Sequence, residues 1–410
     1  MVDILIIGAG AAGIAAGRRL AGAKLDVLMV EAAARPGGRA HTQCLDGMML
    51  DLGCGWLHSA DRNPWAELAE EKGEPIDRTP PAWRTQFADL GFGPDERKAA
   101  AEAFAAFDRR LREEPPASDR AADALEPGNE WNDYLQALSG FMNGAELGQL
   151  SVADYLVYAD GDSEVNWRLP GGLGAFIAAQ AEPLPIRYGA RIDEIDRSGA
   201  PLKARGPAGE IEARAAIVTV PTGMLALEKL RFTPPLPEKA DAARSLPLGL
   251  ANKAFLGLDR PEPFEPDTQL LGDPRDPGTG AYYLRPFGKP AIECFFGGAG
   301  ARALEAEGEG AALDFAVSQL VSLLGSDMRR RCRPLAETRW GNEPLIMGSY
   351  SHALPGQAGA RALLAAPVED RIFFAGEACS ATDFSTAHGA YETGEAAAEA
   401  AMNSLDRKGP

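Results

Sequence analysis

The run Ile4-Leu5-Ile6-Ile7-Gly8-Ala9-Gly10-Ala11-Ala12-Gly13 constrains this chain more than any other feature. An uninterrupted apolar stretch of this kind forms a buried strand, and the glycines after it demand a tight turn into a helix of small residues, Ala11 to Leu20. Gly8 allows the turn, Gly10 lets the backbone approach a pyrophosphate, and Gly13 lets the helix lie close on the strand. The helix N-terminus then offers free N–H groups and the positive end of its dipole to an anion. A second strand, Leu25 to Val30, ends in Glu31, an acid placed to hold ribose hydroxyls. The pattern predicts a βαβ unit that binds a dinucleotide.

The far end of the chain carries a matching piece. Arg371-Ile372-Phe373-Phe374-Ala375-Gly376-Glu377 reads as a strand running into Gly-Glu, and Ser385-Thr386-Ala387-His388-Gly389-Ala390 as a small-residue helix start. Between the ends, Arg35-Pro36-Gly37-Gly38-Arg39 follows the ribose acid, and Asp51-Leu52-Gly53-Cys54-Gly55-Trp56 comes next. A second glycine turn carrying an arginine suits a second phosphate contact, because guanidinium meets phosphate bidentately.

This order of motifs resembles the flavin-containing amine oxidases, the family of monoamine oxidases, polyamine oxidases and histone-lysine demethylases, and the resemblance spans nearly the whole chain. It implies an α/β fold: a Rossmann-like FAD-binding domain interleaved with an α+β substrate-binding domain, the two-domain arrangement of the glutathione-reductase type. The FAD-binding parts would be residues 1–79, 184–248 and 346–410, and the substrate-binding parts 80–183 and 249–345. The resemblance implies that Gly8, Gly10, Ala12, Gly13 and Glu31 hold the adenosine diphosphate half, with Gly38, Arg39 and Ile192. Gly55, Trp56, Trp340, Gly376 and Glu377 would line the rest. The helix starting near His388 would aim its dipole at the flavin ring, whose edge approaches Ala387 and the backbone amides of Gly389 and Ala390. Monoamine oxidases tether their flavin through a cysteine in a G-C-Y context; that position here is Ser349, so the FAD is expected to be non-covalent.

Composition excludes several other classes. Hydrophobic content of 45% and charged content of 24% are ordinary for a globular protein, and 410 residues allow two or three domains. No run of 18 apolar residues exists, so no membrane-spanning helix is expected. The fingerprint strand starts at residue 2, so no signal peptide is expected. Five scattered cysteines without C-x-x-C spacing argue against a metal site or disulfide framework and for a reduced, cytoplasmic protein. A net charge of −18 argues against nucleic acid as a ligand.

Along the chain, a helix is expected over Trp65–Lys72, then an Ala-rich amphipathic helix over Pro94–Leu111, with further helices over Glu130–Met142 and Ala145–Tyr155. Strands return in a meander over Ile186–Ile195 and Glu210–Arg214, followed by a separate buried strand, Ala216–Val220. Leu250–Leu258 and Ala281–Phe296 read as a second sheet, with a helix over Ala311–Leu324.

Three residues are expected to carry chemistry. Lys253 stands in Asn252-Lys253-Ala254-Phe255, an apolar strand pattern where a charge needs a reason; the family places a lysine in this context near flavin N5, where its cation assists O₂ reduction. A lysine at a strand end facing solvent is the bland alternative. Tyr350 matches an aromatic wall of the family's substrate sandwich, whose second wall is replaced here by Thr386 and Ala387, leaving it one-sided or completed by Phe384. His58, in Gly55-Trp56-Leu57-His58-Ser59 with Asn63-Pro64-Trp65 after it, resembles the pocket mouth of polyamine and spermine oxidases. It either hydrogen-bonds an amine and selects its neutral form or is a structural histidine. Asp160, Asp162 and Glu164 precede a Leu169-Pro170-Gly171-Gly172 turn and either face a distal ammonium or are surface acids.

The implied reaction is hydride transfer from a polyamine or other primary or secondary amine to flavin N5, with hydrolysis of the imine and reoxidation by O₂ to H₂O₂. Two rivals share the fold. An amino-acid oxidase needs an arginine for the substrate carboxylate, and Arg84 is the candidate. A histone-lysine demethylase carries an added recognition domain or helical tower, and neither is seen. A flavin dehydrogenase without oxidase activity is the third reading.

Overall fold

The glycine fingerprint becomes a βαβ unit of strand β1 (Val2–Ile7), helix α1 (Ala11–Leu20) and strand β2 (Val27–Val30). The computed structural model describes residues 1–262 and 264–408. β1 and β2 pair in parallel from Ile4–Val27 to Ile7–Val30. Gly13 is required by packing, since a Cβ there would lie 1.9 Å from the Gly8 carbonyl oxygen. A small hairpin, β3 (Thr42–Leu45) and β4 (Met48–Asp51), carries the chain to helix α2 (Pro64–Glu71), which Asn63 caps by accepting the Trp65 N–H.

A helical block follows: α3 (Pro94–Glu113), α4 (Asn132–Asn143), α5 (Val152–Gly161) and α6 (Leu173–Ala179). The helix expected over Ala145–Tyr155 is not formed. A 3₁₀ turn at Leu147–Gln149 comes first, and Ser151 starts a new helix by accepting the Asp154 N–H. Serine at that place satisfies a free amide that a continuous helix would not leave exposed.

The chain then completes the first sheet with β5 (Ile186–Arg187), β6 (Glu194–Asp196), β7 (Leu202–Gly206), β8 (Gly209–Val218) and, beyond helix α7 (Thr222–Ala226), β9 (Arg231–Thr233). The two strands expected over Glu210–Arg214 and Ala216–Val220 are one. The first half of β8 pairs antiparallel with β7, and its second half runs parallel to β1. Its burial changes accordingly, from alternating to complete. β5 leaves the expected meander and pairs with β2 instead.

After helix α8 (Pro237–Arg244), a second sheet forms from β10 (Ala251–Leu258), β11 (Thr268–Leu271), β12 (Ala281–Leu284) and β13 (Ala291–Gly297). Helices α9 (Gly298–Glu307), α10 (Ala311–Leu324) and α11 (Met328–Arg331) cover it, and β14 (Cys332–Glu337) completes it in the order β11-β12-β13-β10-β14. The chain closes with α12 (Ala360–Ala365), β15 (Ile372–Phe374) and α13 (Ala387–Lys408). β15 returns to the first sheet, parallel to the second half of β8. Among the described residues no helix is long and apolar enough to cross a membrane.

Candidate active site

Strands β1, β8 and β15 are parallel, so their carboxyl ends share one rim of the first sheet. Such a rim is where open α/β sheets bind ligands. Gly8, Thr219 and Gly376 stand there, and the Thr219 hydroxyl donates to the Ile7 and Gly8 carbonyls, tying two of the strand ends together. Helix α1 starts at this rim, and α13 packs along that helix. A Cβ on Gly394 of α13 would lie 2.2 Å from the Ala12 carbonyl oxygen of α1, and seven residues further along α1, Arg19 bonds Glu399 at 2.9 Å. The helices therefore run parallel in close contact, with the positive end of α1 at the rim and that of α13 about two turns, ~10 Å, beyond it.

The residues present fit FAD. Gly10 caps α1 with no side-chain partner, no acid occupies the first turn, and a Cβ on Gly10 or Gly376 would meet nothing within 4 Å. Free amides facing open space are what a pyrophosphate needs. The Gly37-Gly38 turn packs on this loop, through a 2.7 Å bond from the Gly37 N–H to the Ala9 carbonyl. Glu31 accepts the N–H of Ala9 at 2.7 Å on one oxygen and that of Ala33 at 2.8 Å on the other. A carboxylate accepts about four hydrogen bonds, so both oxygens retain capacity for ribose hydroxyls. A groove opens at the rim, lined by Arg39, Thr219, Thr222, Gly376 and Glu377 among others.

Arg39 and Glu377 form an ion pair of 2.8 Å across this opening. The pair uses only Nη1 of Arg39, which also donates to the Ser349 carbonyl, leaving Nε and Nη2 for a phosphate. Glu377 is almost fully buried; burial pushes its carboxyl up, but Arg39, the Ser351 hydroxyl and Arg361 outweigh this and hold it below the usual range. Arg361 lies buried behind it, bidentate on Asp154 and bonded to Ser351.

The second sheet is tied to this rim through Ser349, whose hydroxyl bonds Ala251 of β10 and whose carbonyl accepts from Arg39. Alternation sends Ala254, Leu256, Tyr282, Cys294 and Phe296 into the core under α9 and α10. Lys253, Tyr283, Glu293 and Phe295 take the opposite face, where Lys253 pairs in register with Phe295. Lys253 is buried and not a solvent-facing strand end: its ammonium donates to the Asp51 carbonyl at 2.9 Å and meets Glu293 at 2.7 Å. A Cβ on Gly55 would lie 3.4 Å from that ammonium, so the glycine gives it room. Trp56 turns away into a cluster with Trp83, Tyr283 and the guanidinium of Arg168.

His58 Nδ1 lies 2.6 Å from Asn166 Oδ1, while the Asn166 amide nitrogen donates to the Glu164 carbonyl. That second bond fixes the amide orientation, so Nδ1 of His58 carries the proton and Nε2 is a free base. Burial lowers the His58 pKa, which keeps the ring neutral. Tyr350 is held by its hydroxyl, which donates to the Phe141 carbonyl at 2.6 Å, and Phe141 packs 6.0 Å from Phe295.

Several expectations are corrected. The N–H of Gly389 is taken by Thr386 Oγ1 and that of Ala390 by the Thr386 carbonyl, so the free amides of α13 are those of Ala387 and His388. Gly389 is a packing glycine: a Cβ there would lie 1.9 Å from the Asp383 carbonyl. Ile192 packs its side chain in the core of the first sheet, and Trp340 packs in the core of the second. Phe384 is buried with the Arg361 guanidinium 3.5 Å over its ring, and so is no open wall opposite Tyr350. Asp160 pairs with Arg112 and Asp162 accepts the Ser59 hydroxyl. Arg84 is 93% exposed and stands 4.0 Å from Glu164. Glu293 and Phe295 escaped the sequence reading; the two-residue alternation through Ala291–Gly297 was the signal that could have found them.

Comparison with known proteins agrees with this fold. The chain is 31% identical to polyamine oxidase 3 of Oryza sativa subsp. japonica, over 98% of this chain and 90% of that one. The fold superposes on putrescine oxidase bound to putrescine with a TM-score of 0.80 at 19% identity, covering 98% of this chain and 99% of that one. Cyclohexylamine oxidase from Brevibacterium oxydans IH-35A gives 0.78 at 20% identity, covering 99% of this chain and all of the other. Residues 6–71 match an NAD(P)-binding Rossmann-like domain. Residues 63–402 match the flavin containing amine oxidoreductases, and the chain belongs to that family.

Proposed function

We propose that the chain is an FAD-dependent amine oxidase acting on a polyamine or another primary or secondary amine, with the FAD held without a covalent bond. The observation that carries the reading is the buried ammonium of Lys253, on a strand that Ser349 ties to Arg39 at the rim where α1 starts. FAD in this crevice would accept hydride from the amine carbon and pass electrons to O₂, giving an imine, then an aldehyde, and H₂O₂. Arg39 and the first amides of α1 would hold the phosphates, Glu31 the ribose, and the Ala387 and His388 amides developing negative charge.

Only a neutral amine donates hydride, and deprotonating an alkylamine of pKa near 10 costs about 4 kcal/mol at pH 7. The free Nε2 of His58 is the base suited to take that proton. Tyr350 and Phe295 offer an apolar surface that disfavours the ammonium form. Lys253 would stabilise the negative charge that grows on oxygen. Non-covalent binding is supported at Ser349, whose hydroxyl both accepts from and donates to the backbone of Ala251. The five cysteines, none bonded to another, suit a reducing cytoplasm.

The test is to assay the purified yellow protein for H₂O₂ release from diamines, polyamines, aryl-alkyl amines and L-amino acids, then to precipitate it with acid. The expected result is turnover of amines at least about tenfold faster than of amino acids, with all flavin left in the supernatant. Flavin retained on the polypeptide, or a preference for amino acids, would reject the reading.

A further inference from the structure

We propose that Glu293 is a positioning residue for the oxygen reaction, anchoring the Lys253 ammonium in its buried place; this rests on the role given to Lys253 above. β10 and β13 are antiparallel neighbours in which Lys253 stands opposite Phe295 and Glu293 opposite Phe255. Lys253 and Glu293 are therefore diagonal on one face, a separation that two long side chains bridge. The contact is 2.7 Å, and the side chains are 9% and 23% exposed, so the pair is shielded from water. An ammonium so placed is costly without a partner of opposite charge.

Of the other groups around Lys253, none brings a charge into direct contact with its ammonium. Asp51 on β4 touches the ammonium with its backbone carbonyl; its carboxyl, raised by burial, attracts Lys253 from a distance and is occupied by Thr42, Leu173 and Gly174. The Cys54 thiol is pushed up to about 12 by burial and stays neutral. Thr338, just past β14, holds the Lys253 backbone, not its ammonium. Lys289, on the loop before β13, adds a positive charge and is itself anchored on the Met49 and Pro170 carbonyls. Among the described residues, Glu293 is the one carboxylate ion-paired with Lys253. An ammonium has three donors; Asp51 and Glu293 take two, and the third remains for water or oxygen.

The experiment compares native protein with Glu293→Gln, Glu293→Asp and Lys253→Met. Flavin reduction and reoxidation are measured separately by rapid mixing across pH 6 to 10, and Lys253 is titrated by NMR of ε-¹³C-lysine in the FAD-free protein. Removing the carboxylate removes attraction that favours the charged form, so Lys253 in Glu293→Gln should titrate about one pH unit lower or more. Its reoxidation should approach the native rate at pH 6 and fall about tenfold as pH rises, with flavin reduction within about twofold. Glu293→Asp keeps the charge one methylene short; it should lose rate evenly across pH while restoring the titration, and it serves where Glu293→Gln fails to fold. A Lys253→Met enzyme slow in reoxidation beside a Glu293→Gln enzyme with native pH profile and titration would overturn this role alone. A Lys253→Met enzyme with native reoxidation would overturn both it and the reading of Lys253.

Discussion

His58 shows how a single side chain acquires a chemical direction from its neighbours. Asn166 receives its Nδ1 proton and leaves Nε2 as a base. Because burial depresses its pKa below the ordinary 6.5, the ring stays neutral through physiological pH and is lost as a base only as pH falls through the depressed value. His58→Ala should slow flavin reduction at pH 7 by about a hundredfold, the scale of a general base. The defect should shrink toward pH 10, where the amine arrives neutral and needs no base. A defect equal at all pH values would mean that His58 only shapes the pocket. The places of Glu31, at a strand end, and Lys253, inside a buried strand, were legible in the sequence because each breaks a local pattern. Glu293 was not, because its meaning depends on a partner 40 residues away that only the pairing of two strands brings to it. The burial of Trp340 was not legible either: an aromatic near a glycine turn suits a pocket, and only the tertiary fold packs it in the core of the second sheet.

At the scale of elements, the contact of α1 with α13 sets where both helix N-termini lie. Its closest point is Gly394 against the Ala12 carbonyl, a backbone atom that cannot give way. Helix propensity alone says that Gly394→Ala should stabilise by about 1 kcal/mol. A Cβ at 2.2 Å instead forces the helices apart, and such overpacking costs about 1–3 kcal/mol, so the clash decides the sign. The variant should melt lower and bind FAD severalfold more weakly, although Gly394 is assigned no contact with the cofactor. Gly148→Ala, where a Cβ meets nothing within 4 Å, is the control and should change neither. Unchanged FAD affinity in Gly394→Ala would separate the packing of these helices from the site. Elements with strong periodicity were readable: the helix over Ala311–Leu324 forms with those bounds. β8 was split in the reading because its first half alternates and its second is wholly apolar, the result of gaining the parallel neighbours β1 and β15 partway along. That change in environment is tertiary, and no local pattern announces it.

Over the whole molecule, 59 acidic residues against 41 lysines and arginines leave a net charge of −18. A field of that sign attracts cationic amines and repels the carboxylate of an amino acid, raising association rates for the former. The one arginine considered for a carboxylate clamp, Arg84, is 93% exposed beside Glu164, so it gives an amino acid no shielded partner against that field. Selection for amines would then have two parts: capture of the cation at long range, and removal of its proton inside, where His58 and the apolar wall act. The two parts respond differently to salt. The Debye length shrinks from about 30 Å at 0.01 M to about 10 Å at 0.1 M, which screens capture but hardly touches groups within the pocket. Raising ionic strength from low to physiological should therefore lower kcat/KM for a diamine severalfold, leave kcat unchanged, and lower kcat/KM less for a monoamine of similar size. A kcat/KM independent of salt for both would assign recognition to contacts within the pocket alone, and a fall in kcat would show that salt disturbs the chemistry and not the encounter.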